Sequence, residues 1–347
     1  MSDDLSSVAQ RFHAISSRVL NEPGLPVDPW LRRYCGANAH LANATEYVRH
    51  QADLLALAGV SSDRAVVIDA GCGFGFAMIV HVLLGAQRVK GIELYPAMVS
   101  SFEAFRPLLP QDVGQRIEMV RGNVAEMPYE DASADIILSI EAISHYLDVG
   151  AFVEEAWRVL KPGGALIIAD GNNSTNPLLK RRAEDLWEAF ECGPEGREVH
   201  GHRVGVPYVL ARHRVLDDQF PTLPESVRGE IARGTAGFTE QQVAAAGRRY
   251  LESGALPTST YQRGQLAIDP DGRATERLFS PRGLARTLGS RGFSARAYGY
   301  WGGANGNTLV RRVNTVLSSL SAVTIPFSRS FRVVARKTGG AAGAREA

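Results

Sequence analysis

The residues Val67-Ile68-Asp69-Ala70-Gly71-Cys72-Gly73-Phe74-Gly75 join a short apolar run to three glycines spaced two apart. The apolar run predicts a buried strand, and the mostly apolar residues from Phe76 onwards predict a helix. Glycines at such a turn bring bare backbone, without Cβ atoms, against a ligand at the carboxyl end of the strand. The stretch therefore predicts a nucleotide-type site between a strand and a helix.

The surrounding sequence predicts a parallel sheet. Short β-branched apolar runs alternate with segments of helical periodicity, a pattern typical of strands buried on both faces and covered by helices. Strands are predicted at 65–70, 88–94, 117–122, 134–140 and 165–170, and helices at 76–84, 96–108 and 149–160. Pro162-Gly163-Gly164 predicts a break before the fifth strand. This stretch is interpreted as an α/β, Rossmann-like sheet with helices on both faces.

Composition shifts divide the chain into five parts. We expect an N-terminal helical lid over 1–63 and the sheet core over 64–170. A large inserted cap, richer in Pro, Gly and Arg, is predicted to select the substrate over 171–280. Helix and strand patterns return over 281–337, and this segment is predicted to complete the core sheet. Its predicted elements are strands near 294–301 and at 331–337 and a helix near 309–323. The small, polar segment 338–347 is predicted to be a disordered tail.

Charge and cysteine usage exclude several classes of protein. The 38 Lys and Arg residues nearly balance the 37 Asp and Glu residues, so the net charge of +1 offers no global attraction to nucleic acid or to an anionic membrane. A partner of that kind would need a local patch. The three cysteines are widely spaced and form no C-x-x-C pair, which argues against a disulfide framework or a structural zinc site. We therefore expect a cytoplasmic protein with no nucleic-acid or membrane partner, and leave a homodimer open.

Two carboxylates limit the class of ligand that the predicted site can bind. Glu93 ends the second predicted strand, where a carboxylate can accept hydrogen bonds from both hydroxyls of a ribose. Asp69 precedes the glycines, where it would repel a pyrophosphate and suit a cationic group. The third glycine also arrives one residue earlier than in the dinucleotide pattern G-x-G-x-x-G. These features favour a nucleoside with an amino-acid or sulfonium end.

The chain resembles the class I S-adenosylmethionine-dependent methyltransferases of the small-molecule type. The resemblance rests on D-A-G-C-G-F-G at 69–75, on Glu93, on R-G-N-V-A-E-M-P-Y at 121–129 and on L-K-P-G-G at 160–164. It covers residues 64–170, and F-R-V-V-A-R-K at 331–337 is similar to the closing strand of that family. The resemblance implies a seven-stranded, mostly parallel Rossmann-like sheet.

The resemblance also implies S-adenosyl-L-methionine as cofactor and a set of residues that hold it. The segment from Asp69 to Gly75 would face the methionine portion, Glu93 the ribose, Asn123 with Val124 the adenine, and Ile140 with Glu141 the sulfonium. The family commonly has Asp at the position of Asn123, and an amide carbonyl can still accept from the adenine amino group. The full predicted set is Asp69, Gly71, Cys72, Gly73, Gly75, Glu93, Leu94, Asn123, Val124, Ile140 and Glu141.

His145 and Tyr146 follow the fourth predicted strand and are expected to border the acceptor. His145 is the candidate catalytic base because its ordinary pKa lies near neutrality; bracing the loop is the alternative role. Tyr146 is the candidate substrate residue. The pair His200 and His202, with His213 further on, has no carboxylate or cysteine to complete a metal site, so no metal is expected.

The predicted activity is in-line transfer of the sulfonium methyl to an O, N or C atom of a small-molecule metabolite, in bacterial secondary metabolism. Two alternatives stay open. One is a non-methylating protein that binds the same cofactor. The other is an NAD-dependent oxidoreductase, which the glycine spacing and Asp69 disfavour.

Overall fold

The structure is a computed structural model that describes residues 2–258, 266–268, 275–301 and 308–339. Its chain separates into two compact units. The first combines Met1–Gly171 with Pro281–Ala347, and the second is Asn172–Ser280. The predicted tail over 338–347 falls almost entirely outside the described residues.

A seven-stranded sheet forms the centre of the first unit. Its strand order is β10-β11-β5-β4-β1-β2-β3. The five strands from β5 to β3 run parallel, and β11 pairs antiparallel with both β5 and β10. The predicted mostly parallel sheet is confirmed. The strands are β1 (Val66–Ala70), β2 (Arg88–Glu93), β3 (Ile117–Arg121), β4 (Ala134–Ile140), β5 (Leu160–Asp170), β10 (Phe293–Tyr300) and β11 (Ser330–Lys337).

Helices flank this sheet, and their boundaries follow local sequence signals. Gly59, in the left-handed conformation, caps the end of α3, and the side chain of Asp148 accepts from the Ala151 N–H at the start of α7. Helix α4 is buried nearly all round because it packs against β2 as well as α1 and α3. The helices of this unit are α1 (Ser2–Asn21), α2 (Pro29–Cys35), α3 (Leu41–Ala58), α4 (Phe76–Leu83), α5 (Pro96–Phe105), α6 (Gln111–Gly114), α7 (Val149–Val159), α12 (Pro281–Arg291), α13 (Thr308–Ser319) and α14 (Ser321–Thr324).

Some predicted boundaries were wrong. Strand β5 begins at Leu160, because the predicted break at 162–164 is a bulge within the strand: Ala134 pairs with Leu160 and Ile136 already pairs with Ala165. Helix α5 ends at Phe105, and a 3₁₀ turn occupies Arg106–Leu108. The helix predicted near 309–323 is divided at Leu320 into α13 and α14.

The second unit has its own small core. Helices α9, α10 and α11 pack together through apolar side chains that include Leu216, Ile231 and Val243. The elements of this unit are α8 (Pro177–Cys192), β6 (Glu198–Val199), β7 (His202–Arg203), α9 (Tyr208–Gln219), α10 (Glu225–Gly234), α11 (Glu240–Ser253), β8 (Leu266–Ile268) and β9 (Thr275–Arg277).

Among the residues that the structure describes, no helix combines the length and the apolar character needed to cross a bilayer.

Candidate functional site

The carboxyl ends of three parallel strands meet at one edge of the sheet. Strand β1 lies between β4 and β2, so the chain leaves β1 at a point where the strand order reverses. Ligands of open α/β sheets bind at such a switch point. The topology therefore gathers the loops after β1, β2 and β4 around one site.

The glycine loop after β1 takes backbone conformations that side chains avoid. Gly71, Gly73 and Gly75 have φ values of 71°, 54° and 77°. The Gly71 N–H donates to the Ile92 carbonyl at 2.9 Å, which ties the loop to β2. A Cβ atom at Gly71 would lie 2.7 Å from the Ala142 Cβ, whereas one at Gly73 would meet nothing closer than the Met98 sulfur at 4.0 Å. The backbone at Gly73 is thus open to a ligand.

Glu93 is held in place by the loops on either side. Its Oε2 accepts from the Gly73 N–H at 2.8 Å, and its Oε1 accepts from the Tyr95 N–H at 2.9 Å. The side chain is buried. Because a carboxylate offers about four lone-pair positions, each oxygen can still accept a further hydrogen bond from a ligand.

Asp69 is the second buried carboxylate of the site. Its Oδ2 has no hydrogen-bond partner among the described residues, although the residue is only 2% exposed. Burial, followed by the charge of Glu93, raises the pKa of Asp69 to about 7. A buried acceptor without a donor is costly, so this oxygen is prepared for a donor supplied from outside the chain. Cys72 lies buried in the same loop, where burial raises the pKa of its thiol.

The residues predicted around the adenine follow β2 and β3. The Asn123 Oδ1 accepts from the Ala125 N–H at 3.0 Å, a local bond that shapes the turn after β3. Val124 is buried in this turn, and Leu94 is exposed just after β2. The sheet order places these residues beyond Glu93, on the β3 side of the site.

Glu141 follows β4 in a strained conformation. Its φ of 49° is unusual for a residue with a side chain, and its Oε2 accepts from the Gly171 N–H at 3.1 Å. Loss of hydration in its recess, followed by the charge of Asp170, raises the pKa of Glu141 to about 7. The side chain nevertheless keeps solvent-accessible surface. Glu141 is therefore a carboxyl group able to change protonation near neutral pH.

His145 and Tyr146, which are adjacent in the loop after β4, differ in exposure. His145 ends a 3₁₀ turn over Ile143–His145 and is exposed. Tyr146 is buried, and its hydroxyl donates to the Ala70 carbonyl at 2.7 Å and lies 2.9 Å from the Ser139 Oγ. The Tyr146 hydroxyl thus supports the glycine loop from beneath.

A cleft of about 500 Å³ opens beside the end of β4. Ile140 and Glu141 form its sheet side, while the described residues of its lining include neither His145 nor Tyr146. Tyr47 also lines the cleft, and burial, followed by the charges of Cys35 and Asp69, raises the pKa of its phenol. The other lining residues are Tyr34, Cys35, Ala37, Asn38, Asn43, Glu46, His50, Asp53 and Tyr300.

Sequence reasoning missed a buried polar group next to this cleft. The Arg332 Nη2 lies 3.4 Å from the His50 Nε2, and the His50 Nδ1 lies 3.3 Å from the Tyr300 hydroxyl. Burial, followed by the charge of Arg332, lowers the pKa of His50 to about 3, so the imidazole is neutral. Because arginine can only donate, we assign the His50 proton to Nδ1, which donates to Tyr300. The sequence offered one signal for this group: Arg332 is the single charged residue in the otherwise apolar run 331–335.

No group of three or more His, Cys, Asp or Glu side chains is arranged to hold a metal in the part of the chain that the structure describes. The His200 and His202 pair lies on the β6–β7 hairpin of the second unit, and the His213 Nδ1 lies 3.0 Å from the Asp217 Oδ2 on α9.

Residues 68–168 match a family model described as "Methyltransferase domain". The chain is similar to a "Probable S-adenosylmethionine-dependent methyltransferase" of Mycolicibacterium smegmatis, with 34% identity over 42% of this chain and 59% of the relative. It is 30% identical to a 2-methyl-6-phytyl-1,4-hydroquinone methyltransferase of Synechocystis sp. over 46% of this chain and 51% of the relative. A phthiotriol/phenolphthiotriol dimycocerosates methyltransferase of Mycobacterium ulcerans is 28% identical over 58% and 68%.

The chain thus spans about half to two thirds of the length of these curated relatives. The matched stretch contains the glycine loop, Glu93 and the turn at Asn123, and it ends inside β5.

Proposed function

We propose that this chain is a class I S-adenosylmethionine-dependent methyltransferase that methylates a small-molecule acceptor, a proposal supported by the methyltransferase-domain match over residues 68–168 and by the curated relatives. The observation that carries the proposal is the pairing of a ligand-facing glycine loop with two buried carboxylates, Asp69 and Glu93. A dinucleotide would bring a pyrophosphate against the Asp69 carboxyl group, an unfavourable meeting of charges.

The residues present fit this cofactor. The unpartnered Asp69 Oδ2 suits the ammonium group of the methionine portion, because that group brings the donor that the oxygen lacks among the described residues. The Glu93 carboxylate, fixed by two backbone N–H groups, suits the two ribose hydroxyls. Because Gly73 has no Cβ atom, the ligand has room to approach the backbone of the loop. When bound, S-adenosylmethionine supplies an activated methyl group on a sulfonium, so the chain needs little catalytic machinery of its own.

The proposed acceptor site is the cleft beside β4. Its volume of about 500 Å³ is within the range of small-molecule pockets. The aromatic rings of Tyr34, Tyr47 and Tyr300 offer flat apolar surface, and the side chains of Asn38 and Asn43 offer hydrogen bonds that can orient an acceptor. The main task of this cleft is to hold the acceptor atom in line with the methyl group and to exclude water.

For proton removal from an O or N acceptor, the sequence predicts His145, which follows Glu141 in the loop after β4 but is not among the described residues that line the cleft. Glu141 is a second group that can take up a proton, because it lines the cleft and its pKa is raised to about 7. The neutral His50 and the Arg332 guanidinium hold the Tyr300 ring at the cleft wall, since the guanidinium stacks 3.9 Å from the ring centroid.

The chemical nature of the acceptor is proposed from the cleft and from the relatives together. Two relatives are named for a phytyl-hydroquinone and for phthiotriol dimycocerosates, which supports a hydroxyl or ring-carbon acceptor carrying a large apolar part. A bacterial secondary-metabolic role and a cytoplasmic location belong to the same proposal. Free thiols at Cys35, Cys72 and Cys192 support a reducing compartment.

The test is incubation of the purified protein with S-adenosylmethionine and an acceptor panel of phenols, prenylated hydroquinones and amines, followed by mass spectrometry. A transferred methyl group adds about 14 Da to the acceptor, because CH₃ replaces hydrogen. Gly73→Asp should abolish both cofactor binding and this mass gain, because its carboxylate would fill the space above the loop.

Two other results would each replace the proposal. Tight binding of S-adenosylmethionine with no mass gain across a broad panel would favour a non-methylating protein. Binding of NAD, without a calorimetric response to S-adenosylmethionine or its demethylated product, would favour the oxidoreductase.

A further inference from the structure

The paired helices α13 and α14 expose a continuous apolar stripe. Within α13 the exposed apolar side chains recur at intervals of three or four residues, which places them along one side of that helix, and further exposed apolar side chains follow on α14. The stripe continues over the 3₁₀ turn Ile325–Phe327. Its residues are Leu309, Val313, Val316, Leu320, Val323 and Phe327. We call this surface the apolar stripe.

The opposite side of α13 is polar and faces the protein. Asn314, Thr315 and Ser318 line a second cleft together with Tyr298 and Gly299 of β10. A surface helix of a water-soluble domain normally turns its apolar side inward and its polar side to water. Helix α13 does the reverse, so its apolar stripe is built for a non-aqueous environment rather than for this domain's own core.

The charged residues of the sequence segment that carries the stripe are all of one sign. Between Pro281 and Lys337 the sequence has ten Lys or Arg residues and no Asp or Glu, although the whole chain carries a net charge of only +1. Arg282, Arg312 and Arg329 are exposed. The Arg282 guanidinium donates to the Ala322 carbonyl, which places this charge directly beside α14.

From these observations we infer that the apolar stripe docks on the surface of an anionic lipid membrane. Apolar side chains on one side of a helix, flanked by arginines, are the features of a helix that lies in a bilayer interface. Anionic headgroups would attract the arginines while the acyl boundary covers the stripe. Nucleic acid would leave the stripe exposed to water, and a second copy of this chain would bring two basic surfaces together.

This inference departs from the expectation, drawn from net charge, that no membrane partner exists. The balanced total hides an uneven distribution, because the acidic residues of the chain lie before Pro281 apart from Glu346. The inference concerns binding alone and does not depend on the proposed methyl transfer.

Sedimentation with lipid vesicles tests it directly. The 347-residue chain should sediment with phosphatidylcholine vesicles that contain phosphatidylglycerol, and far less with pure phosphatidylcholine. Leu320→Glu should weaken this binding by on the order of ten-fold or more, since it removes apolar surface and adds a repelled charge. Leu251→Glu on α11 is the matched control, because Leu251 is 57% exposed and Leu320 is 53% exposed; it should sediment like the unchanged protein.

A second variant separates charge from apolar contact. Arg312→Gln with Arg329→Gln should reduce binding to the anionic vesicles by roughly five-fold for each charge removed, and added salt should diminish the difference. Circular dichroism and the Tm of each variant establish that it is folded.

Three results would overturn the inference. The first is equal sedimentation of all variants with both vesicle types. The second is a dimer in light scattering that Leu320→Glu dissociates, with no vesicle binding. The third is preferential binding of duplex DNA that competes with the vesicles.

Discussion

The backbone N–H of Gly73 donates a hydrogen bond of 2.8 Å to Oε2 of Glu93, which joins the loop after β1 to the end of β2. The carboxylate that is proposed to hold the cofactor ribose is therefore oriented by the loop that is proposed to hold the methionine portion. This shared bond couples the two halves of the site, because a change at either residue disturbs both.

Glu93→Gln is expected to weaken binding of the demethylated cofactor product by roughly ten- to a hundred-fold, because hydrogen bonds to a charged acceptor contribute about 1.5–3 kcal/mol. The amide NH₂ would also face one of the two backbone donors at Gly73 and Tyr95. Isothermal calorimetry measures the effect. Glu118→Gln, at an exposed carboxylate on β3, is the control; equal affinities in the two variants would remove Glu93 from the site.

Gly71→Ala is expected to destabilise the fold more than Gly24→Ala. The two glycines have nearly the same φ, 71° and 74°, so both variants incur about 1–2 kcal/mol of backbone strain. A Cβ at Gly71 would also lie 2.7 Å from the Ala142 Cβ, whereas one at Gly24 meets nothing within 4 Å. Overpacking adds about 1–3 kcal/mol at Gly71 alone. Urea unfolding measures the difference, and equal losses would show that loop packing is not tight.

Asp69→Asn is expected to change how stability depends on pH. Folding raises the pKa of Asp69 to about 7, so the folded protein retains a proton that the unfolded chain releases near pH ~4. The free energy of unfolding is therefore reduced as pH rises from about 4 to about 7, and the reduction stays constant above that. The variant should lack this part of the slope. Urea unfolding across that pH range measures it.

Glu141→Gln is the control for this prediction, because the pKa of Glu141 is also raised to about 7. Comparing the pH slopes of the two variants shows how much of the slope comes from each carboxyl group. Identical pH slopes for Asp69→Asn and the unchanged protein would contradict the assignment to Asp69.

In the second unit, Glu191→Ala is expected to lower the free energy of unfolding by about 3–5 kcal/mol, because it leaves a buried charge unpaired. Arg212 is fully buried and donates to both oxygens of Glu191, and its Nε donates to the Ala232 carbonyl at 3.0 Å. The double change of Glu191→Leu with Arg212→Met should cost far less. Thermal unfolding of the whole chain measures the Tm of this unit in the single and the double variant, and the single variant should have the lower Tm.

His145→Gln is expected to lower kcat on an O or N acceptor by roughly 10²- to 10⁴-fold if His145 removes the proton, with cofactor affinity unchanged. Tyr146→Phe should instead lower stability, because its hydroxyl bonds the Ala70 carbonyl and the Ser139 side chain. A pH–rate profile that shifts in Glu141→Gln but not in His145→Gln would reassign the base to Glu141.

The core strands could be predicted because burial on both faces demands nearly continuous apolar sequence, as in 65–70 and 134–140. The bulge in β5 could not, since Pro and Gly predict a break, and only pairing with β4 shows that the chain resumes the same strand. The division of α13 from α14 at Leu320 likewise lacks a strong breaker in the sequence.

Asp69 and Glu93 were accessible to sequence reasoning because each stands at the end of a predicted strand, next to a glycine turn or a helix start. His50, Tyr300 and Arg332 were not, because they come from α3, β10 and β11, which are distant along the chain. The orientation of Tyr146 beneath the loop is also a packing outcome, set by its bond to the Ala70 carbonyl.

The sequence by itself determined which segments form the central strands, where the glycine loop lies and where the two carboxylates stand. These features depend on the local apolar pattern and on residues that are close along the chain. The tertiary structure alone decided which side chains meet across the cleft, and that α13 turns its polar side inward and its apolar stripe outward. The physical reason is that amphipathicity gives a helix two distinct sides, while only packing against the rest of the chain selects the side that faces water.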